Sequence, residues 1–155
     1  MRRTMLPTVV FFLLLWAPAA RAAEGNDIVG IWNTAEKDAV IEIFRCGEKY
    51  CGRIAWVKDP NYTGDDKRGR EGQPRVDDNN PDPLLRNRPI AGLQLMSDFS
   101  FTGGNTWTDG RVYDPKSGKT YRGRITLTSR NTLDLRGYAI FSLFGRTATW
   151  TRVGQ

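Results

Sequence analysis

Between residues 120 and 136 the chain alternates between apolar and polar side chains. Tyr121, Gly123, Ile125 and Leu127 alternate with Arg122, Arg124, Thr126 and Thr128; Leu133 and Leu135 then alternate with Asp134 and Arg136. A period of two places one set on each face of an extended strand. One face is dry and the other wet, as in an antiparallel sheet that covers a single core. This requirement excludes most helical arrangements, and no segment shows a convincing helical period.

Shorter runs of the same kind recur along the chain. They predict strands at 28–34, 39–46, 50–57, 89–96, 106–108, 111–114, 120–128, 132–140 and 146–152. Turn residues separate several of them: Asp109-Gly110, Pro115-Lys116-Ser117-Gly118 and Ser129-Arg130-Asn131. Pro115–Gly118 leaves little room to cross over, so sequential strands pair as a meander. About eight such strands can close into a barrel, which removes exposed edges. Residues 59–88 carry Gly, Pro and polar residues without periodicity and read as one long loop. Setting Cys46 opposite Cys51 predicts the register of the first hairpin: Ile43 faces Ile54, Ile41 faces Trp56, and Phe44 faces Arg53.

The first residues bear on the compartment. Arg2 and Arg3 precede an apolar run from Val9 to Trp16, and Ala20-Arg21-Ala22 is a small-x-small cleavage site. This order predicts a secretory signal peptide over 1–22, cleaved after Ala22, and a single domain over 23–155. The run is shorter than the roughly 20 residues a spanning helix needs. The expected location is periplasmic or secreted. Cys46 and Cys51 then read as a disulfide, because an oxidising compartment favours it and the chain has no histidine to complete a metal site.

Net charge is +6, and falls to +3 once Arg2, Arg3 and Arg21 leave with the signal. That is too mild to argue for nucleic acid as a partner, and fits a soluble protein with some attraction to anionic surfaces. Peripheral contact with the cell envelope is compatible with it. Five Gly-Arg pairs, at 52–53, 69–70, 110–111, 123–124 and 145–146, are read as strand bends with Arg pointing to water; the competing reading is a basic girdle for an anionic partner.

Catalytic chemistry has little to build on. Without histidine there is no His-based triad, the disulfide consumes both thiols, and no G-x-S-x-G elbow surrounds Ser117. Asp77, Asp78 and Asp82 remain as carboxylates close in sequence. Asp78-x-Asn80-x-Asp82 copies the start of a calcium loop, but Pro83 stands where Gly is needed and Pro89 where Glu is needed. No enzyme, metal or cofactor is expected. The loop motif Asp78, Asn80 and Pro81 is read as turn chemistry. Arg86 and Arg88, two apart, share a face of an extended chain. They either receive a carboxylate or phosphate at a barrel rim or pair with Asp77, Asp78 or Asp82 and pin the loop. Trp32, Trp56, Tyr113 and Tyr121 fall on expected strands, as core or as pocket wall.

Gly30-Ile31-Trp32 resembles the Gly-x-Trp signature of lipocalins, a family in which an Arg from near the last strand packs across the Trp and closes the barrel base. Trp150-Thr151-Arg152 offers that Arg. The chain also resembles DUF2147, a family of bacterial exported domains of unknown function. The resemblance is carried by Gly30-Ile31-Trp32, Cys46-Gly47 with Cys51-Gly52, Asn80-Pro81, Arg86-Asn87-Arg88-Pro89-Ile90, Gly92-Leu93, Tyr113-Asp114-Pro115, Gly118-Lys119-Thr120-Tyr121, Leu135-Arg136-Gly137-Tyr138 and Gly145-Arg146-Thr147. It implies a lipocalin-like barrel in the periplasm or outside the cell, and brings no established ligand. Residues 61–75 match nothing in it. The resulting expectation is a binding protein for a small, partly apolar or amphiphilic ligand, lined by Trp32, Trp56, Tyr113 and Tyr121 with Arg86 or Arg88 at the entrance. The alternative is an envelope interaction or structural module with a filled barrel. A cavity above roughly 300 Å³ separates the two. Oligomeric state is not legible.

Overall fold

A computed structural model describes residues 23–138 and 146–154. The expected signal peptide, the end of the expected strand 132–140 at 139–140, and Gly145 lie outside the described residues. Eight antiparallel strands form one closed barrel in sequence order: β1 (Gly30–Asn33), β2 (Ala39–Cys46), β3 (Lys49–Val57), β4 (Gln94–Gly103), β5 (Thr106–Asp114), β6 (Lys119–Ser129), β7 (Thr132–Tyr138) and β8 (Arg146–Arg152). Two 3-10 turns, Gly25–Ile28 and Pro83–Leu85, are the other named elements. The all-β meander barrel with one long loop is therefore the fold the alternation predicts.

Three local expectations are corrected. β4 does not begin at Pro89. Pro89 lacks an N–H, and Gly92 turns the chain with φ 82° before pairing starts at Gln94. The strand then runs on through a polar stretch, with Asp98 in the left-handed region at φ 65°. Asp109-Gly110 is not a turn. Asp109, at φ 61°, forms a bulge inside a continuous β5, and the β4–β5 reversal is made by Gly104 and Asn105 at φ 56° and 61°. Both central residues at positive φ are what a tight hairpin turn demands.

The third correction is the hairpin register. Cys46 pairs with Lys49 and Cys51 with Phe44, so Ile43 faces Gly52 and Ile41 faces Ile54. The disulfide forms all the same, as a diagonal bridge with Cα atoms 5.9 Å apart. A register shift between Val40 and Ile41 then puts Trp56 opposite Val40, and Trp56 ends 50% exposed, off the core face. Arg53 pairs with Glu42 at 2.7 Å, and its guanidinium lies 5.4 Å from the Phe44 ring centroid.

The lower half of the barrel is solid. Phe99 lies across it, fully buried, against the bare backbones of Gly110 and Gly123. A Cβ at those positions would sit 2.3 and 2.6 Å from its ring. Gly52 makes the same room for Met96. Three of the Gly-Arg pairs thus place Gly inward to admit a large neighbour, with an exposed Arg beside it. Trp107, Ile125 and Leu133 complete this fully buried layer.

The N-terminal segment seals the base. Ile28 plugs it, fully buried. Trp32 Nε1 donates to the Ile28 carbonyl at 2.9 Å, Trp107 Nε1 to the Gly25 carbonyl at 3.0 Å, and Tyr50 Oη to Asn26 Oδ1 at 3.2 Å. Arg152 spans the seam. It donates to the carbonyls of Asp27 (2.6 Å), Val29 (2.9 Å) and Arg130 (3.0 Å), while its guanidinium lies 4.2 Å from the Trp32 ring centroid. Gly30, at φ 139°, leaves the space: a Cβ there would meet Arg152 Nη1 at 2.6 Å.

Arg152→Ala should therefore cost about 2–4 kcal/mol, since it removes charged hydrogen bonds and the ring contact together. In urea unfolding, Arg152→Ala and Trp32→Phe should be less than additive by about 1 kcal/mol or more. Additive losses would mean that guanidinium and indole are not coupled.

Candidate functional site

Among the described residues, three connections lie at the end of the barrel opposite the sealed base: residues 34–38, 58–93 and 115–118. Above the Phe99 layer the strands enclose an open-mouthed cavity of about 780 Å³. Its wall is apolar: Ile41, Ile54, Val112, Leu135, Ala148 and Trp150, with Tyr121 beside them. These residues come from β2, β3, β5, β6, β7 and β8, on the inward positions of the alternation. Ile90 and Val57 extend the apolar surface toward the mouth. The rim is charged, with Asp38 and Lys116 closing a 3.1 Å pair between the 34–38 and 115–118 loops.

The long loop shapes one side of this mouth in two parts. In the first, Asn61 and Pro74 bridge a small excursion, and Tyr62 is its centre. Tyr62 Oη donates to Asp78 Oδ2 at 2.6 Å, and Arg70 stacks 3.7 Å from the Tyr62 centroid. Arg70 also donates to Asp78 Oδ1 (2.8 Å) and Asp66 Oδ1 (3.0 Å), and Arg68 reaches Asp78 at 3.0 Å. Hydrogen bonds from Arg70 hold the Asp66 carboxyl down at about 2 and lower that of Asp78. Tyr62, Arg75, Val76, Asp78 and Asn79 line the cavity.

The second part is a strap over the outer wall, tied down at Asp77. Asp77 is fully buried. Tyr113 Oη donates to its Oδ1 at 2.6 Å; Asn80 Nδ2 and Arg88 Nη2 donate to its Oδ2 at 2.7 and 3.0 Å. Burial, then the Asp77 carboxylate, pushes the Tyr113 phenol up to about 12. Arg86 Nε donates to the Asn80 carbonyl at 2.8 Å. Asp82 caps Leu84 N at 3.0 Å, and Asn79 Nδ2 donates to the carbonyls of Pro115 and Lys116 at 3.3 and 3.0 Å. Asp77, Asp78 and Asp82 thus serve three different sets of partners rather than one site.

Tyr121 is the one member of the expected lining set on the cavity wall. Trp32 lies in the base, Trp56 on the outside of β3, and Tyr113 on the outer wall under the strap. Arg86 and Arg88 hold the strap, and neither lines the cavity. The aliphatic wall was missed because Ile41, Ile54 and Leu135 read simply as core, and alternation gives no depth along the barrel axis. Trp150, assigned to barrel closure, also lines the cavity.

A family model described as an uncharacterized protein conserved in bacteria, DUF2147, matches residues 30–152. The chain belongs to the DUF2147 family. A Helicobacter pylori protein of known structure, described as belonging to the lipocalin family, shares the fold with a TM-score of 0.68 and 26% identity, covering 83% of this chain and 84% of that one. No curated protein matches. In this DUF2147 protein the Asn80-Pro81 and Arg86–Ile90 motifs build the strap, Tyr113 anchors it, and Gly118 admits it. A Cβ at Gly118 would lie 1.9 Å from the Asn79 carbonyl oxygen.

The Asp77 anchor gives a pH signature. Tyr113 holds its proton more tightly folded than unfolded, so its contribution is complete below pH 10 and is lost as pH rises from about 10 to about 12. Tyr113→Phe should lose stability at pH 8 and show a shallower decline between pH 10 and 12 than the wild type. Parallel thermal-unfolding curves across that window would contradict the assignment.

Proposed function

We propose that this DUF2147 protein is an exported, lipocalin-like binding protein that holds a small, partly apolar ligand in the open half of its barrel, without catalysis. The observation that carries this reading is the cavity of about 780 Å³ above the Phe99 layer. It falls within the range of small-molecule sites and well above the roughly 300 Å³ that separates a binding barrel from a filled one. Its apolar wall and charged rim suit an amphiphile, with the body inside and a polar group at the mouth. Export is supported by the order of charged, apolar and small residues in 1–22, by the Cys46–Cys51 disulfide and by membership of a bacterial family. Among the described residues of the upper half, no side chain spans the barrel as Phe99 does below, which favours the binding reading over the filled barrel.

Trp150 on the cavity wall supplies a reporter. Titration with fatty acids and with neutral alcohols of equal chain length should give a saturable change in tryptophan fluorescence. Ala148→Trp, which adds bulk at the wall, should weaken binding by tenfold or more with little change in melting temperature. Arg86→Gln with Arg88→Gln should leave affinity unchanged and lower stability by about 1–3 kcal/mol, because the buried Asp77 carboxylate loses a charged donor. A wild type with no saturable response to any amphiphile would favour the filled-barrel module.

A further inference from the structure

The outer wall of β5, β6 and β7 carries a second surface that does not involve the cavity. Arg111 on β5 lies directly opposite Arg122 on β6, and Arg124 on β6 directly opposite Arg136 on β7. Arg122 and Arg124 are two apart on one strand and share its outer face. The four form a continuous ladder across three neighbouring strands, and all are exposed. Arg111, Arg122 and Arg124 make no side-chain hydrogen bond or ion pair among the described residues. Asp109 and Asp134 border the ladder, and each accepts instead from a threonine hydroxyl, Thr108 at 3.0 Å and Thr149 at 2.7 Å.

Like charges directly opposed across strands destabilise a sheet. The Arg111–Arg122 pair is therefore a cost that folding alone does not require. The charge is also concentrated. The chain without its first 22 residues carries a net +3, so a ladder of four arginines bordered by two aspartates holds most of that excess on one face. At its upper edge the ladder meets a groove of about 430 Å³ beside the strap, lined by Arg88, Arg111, Tyr113 and Thr120 among others. Arg88 Nε is buried there with no acceptor among the described residues. Tyr138 pairs with Arg122 on the same face. Tyrosine beside arginine suits the headgroup level of a bilayer, where an amphipathic ring and a cation sit together.

We infer that this wall docks on the anionic phospholipid surface of a membrane, with the guanidinium groups on lipid phosphates. A gently curved sheet face with several spaced cations matches a two-dimensional array of phosphates better than a single small anion. Guanidinium forks pair with phosphate oxygens in bidentate geometry. Docking by this wall leaves the cavity mouth, at the end of the barrel, free to exchange ligand. The inference stands independently of the cavity's occupant.

The test is co-sedimentation of the exported protein with vesicles of phosphatidylcholine containing 30% phosphatidylglycerol, against pure phosphatidylcholine. The wild type should bind the anionic vesicles alone and release them as salt rises to 0.5 M. Each arginine near the surface contributes about fivefold, so Arg122→Gln with Arg124→Gln should weaken binding by about 25-fold. That variant relieves like-charge pairs and should fold; Arg122→Lys with Arg124→Lys should keep most of the binding. Lys58→Gln with Lys67→Gln removes the same charge from the exposed long loop and should bind nearly as the wild type. Equal loss in that control would reduce the effect to net charge and overturn the inference. So would equal binding to neutral vesicles, or saturable binding of inorganic phosphate or nucleic acid with none to vesicles.

Discussion

The barrel depends on one arginine at a thin seam. β1 is four residues long and meets β8 through two described pairs, Trp32 with Arg152 and Asn33 with Thr151. So short a ladder contributes little by itself. Arg152 adds three hydrogen bonds to carbonyls on both sides of the seam and covers the Trp32 ring. It also fixes the 3-10 turn that carries Ile28 into the base. Gly30 is tied to the same interaction, since any side chain there would displace the guanidinium. Gly30 and Trp32 on the first strand and Arg152 on the last are a single structural unit.

Closure at the base is what allows the other end to stay open. With Phe99 resting on Gly110 and Gly123, and Met96 on Gly52, the lower half is filled by large side chains against bare backbone. Above that layer the inward positions hold Ile41, Ile54, Val112, Leu135 and Ala148, with Tyr121 and Trp150, and these surround an open space. The long loop does not fill the space. It is tied to the outer wall through Asp77 and Tyr113, to the rim through Asn79 and the carbonyls of Pro115 and Lys116, and to itself through Asp78, Arg70 and Tyr62. The carboxylates of Asp66, Asp77, Asp78 and Asp82 are consumed in holding it.

The alternation along β6 and β7 made the architecture readable, because a period of two survives wherever a strand stays regular. It failed where the strands bulge. The shift between Val40 and Ile41 moved Trp56 to the outside, and the bulge at Asp109 imitated a turn in composition. β4 was misplaced because Ser97, Asp98 and Ser100 mask the inward Phe99, and Pro89 to Leu93 is apolar without being extended in the sheet. The candidate site was less legible than the fold. Arg86 and Arg88 carried two readings, and the deciding partners, a buried Asp77 and a backbone carbonyl, are set by tertiary folding. Residues 61–75 had no parallel in the family pattern, yet they supply the Tyr62–Arg70 cluster at the mouth.

The central claim is that the upper barrel is a binding chamber. Native mass spectrometry on protein purified from a bacterial host under gentle conditions tests it most directly. A fraction of the wild type should carry a discrete small-molecule mass, lost on denaturation and absent from Ala148→Trp. A spectrum showing the bare polypeptide alone, together with no uptake of any offered amphiphile, would contradict the account and identify the barrel as an unoccupied scaffold.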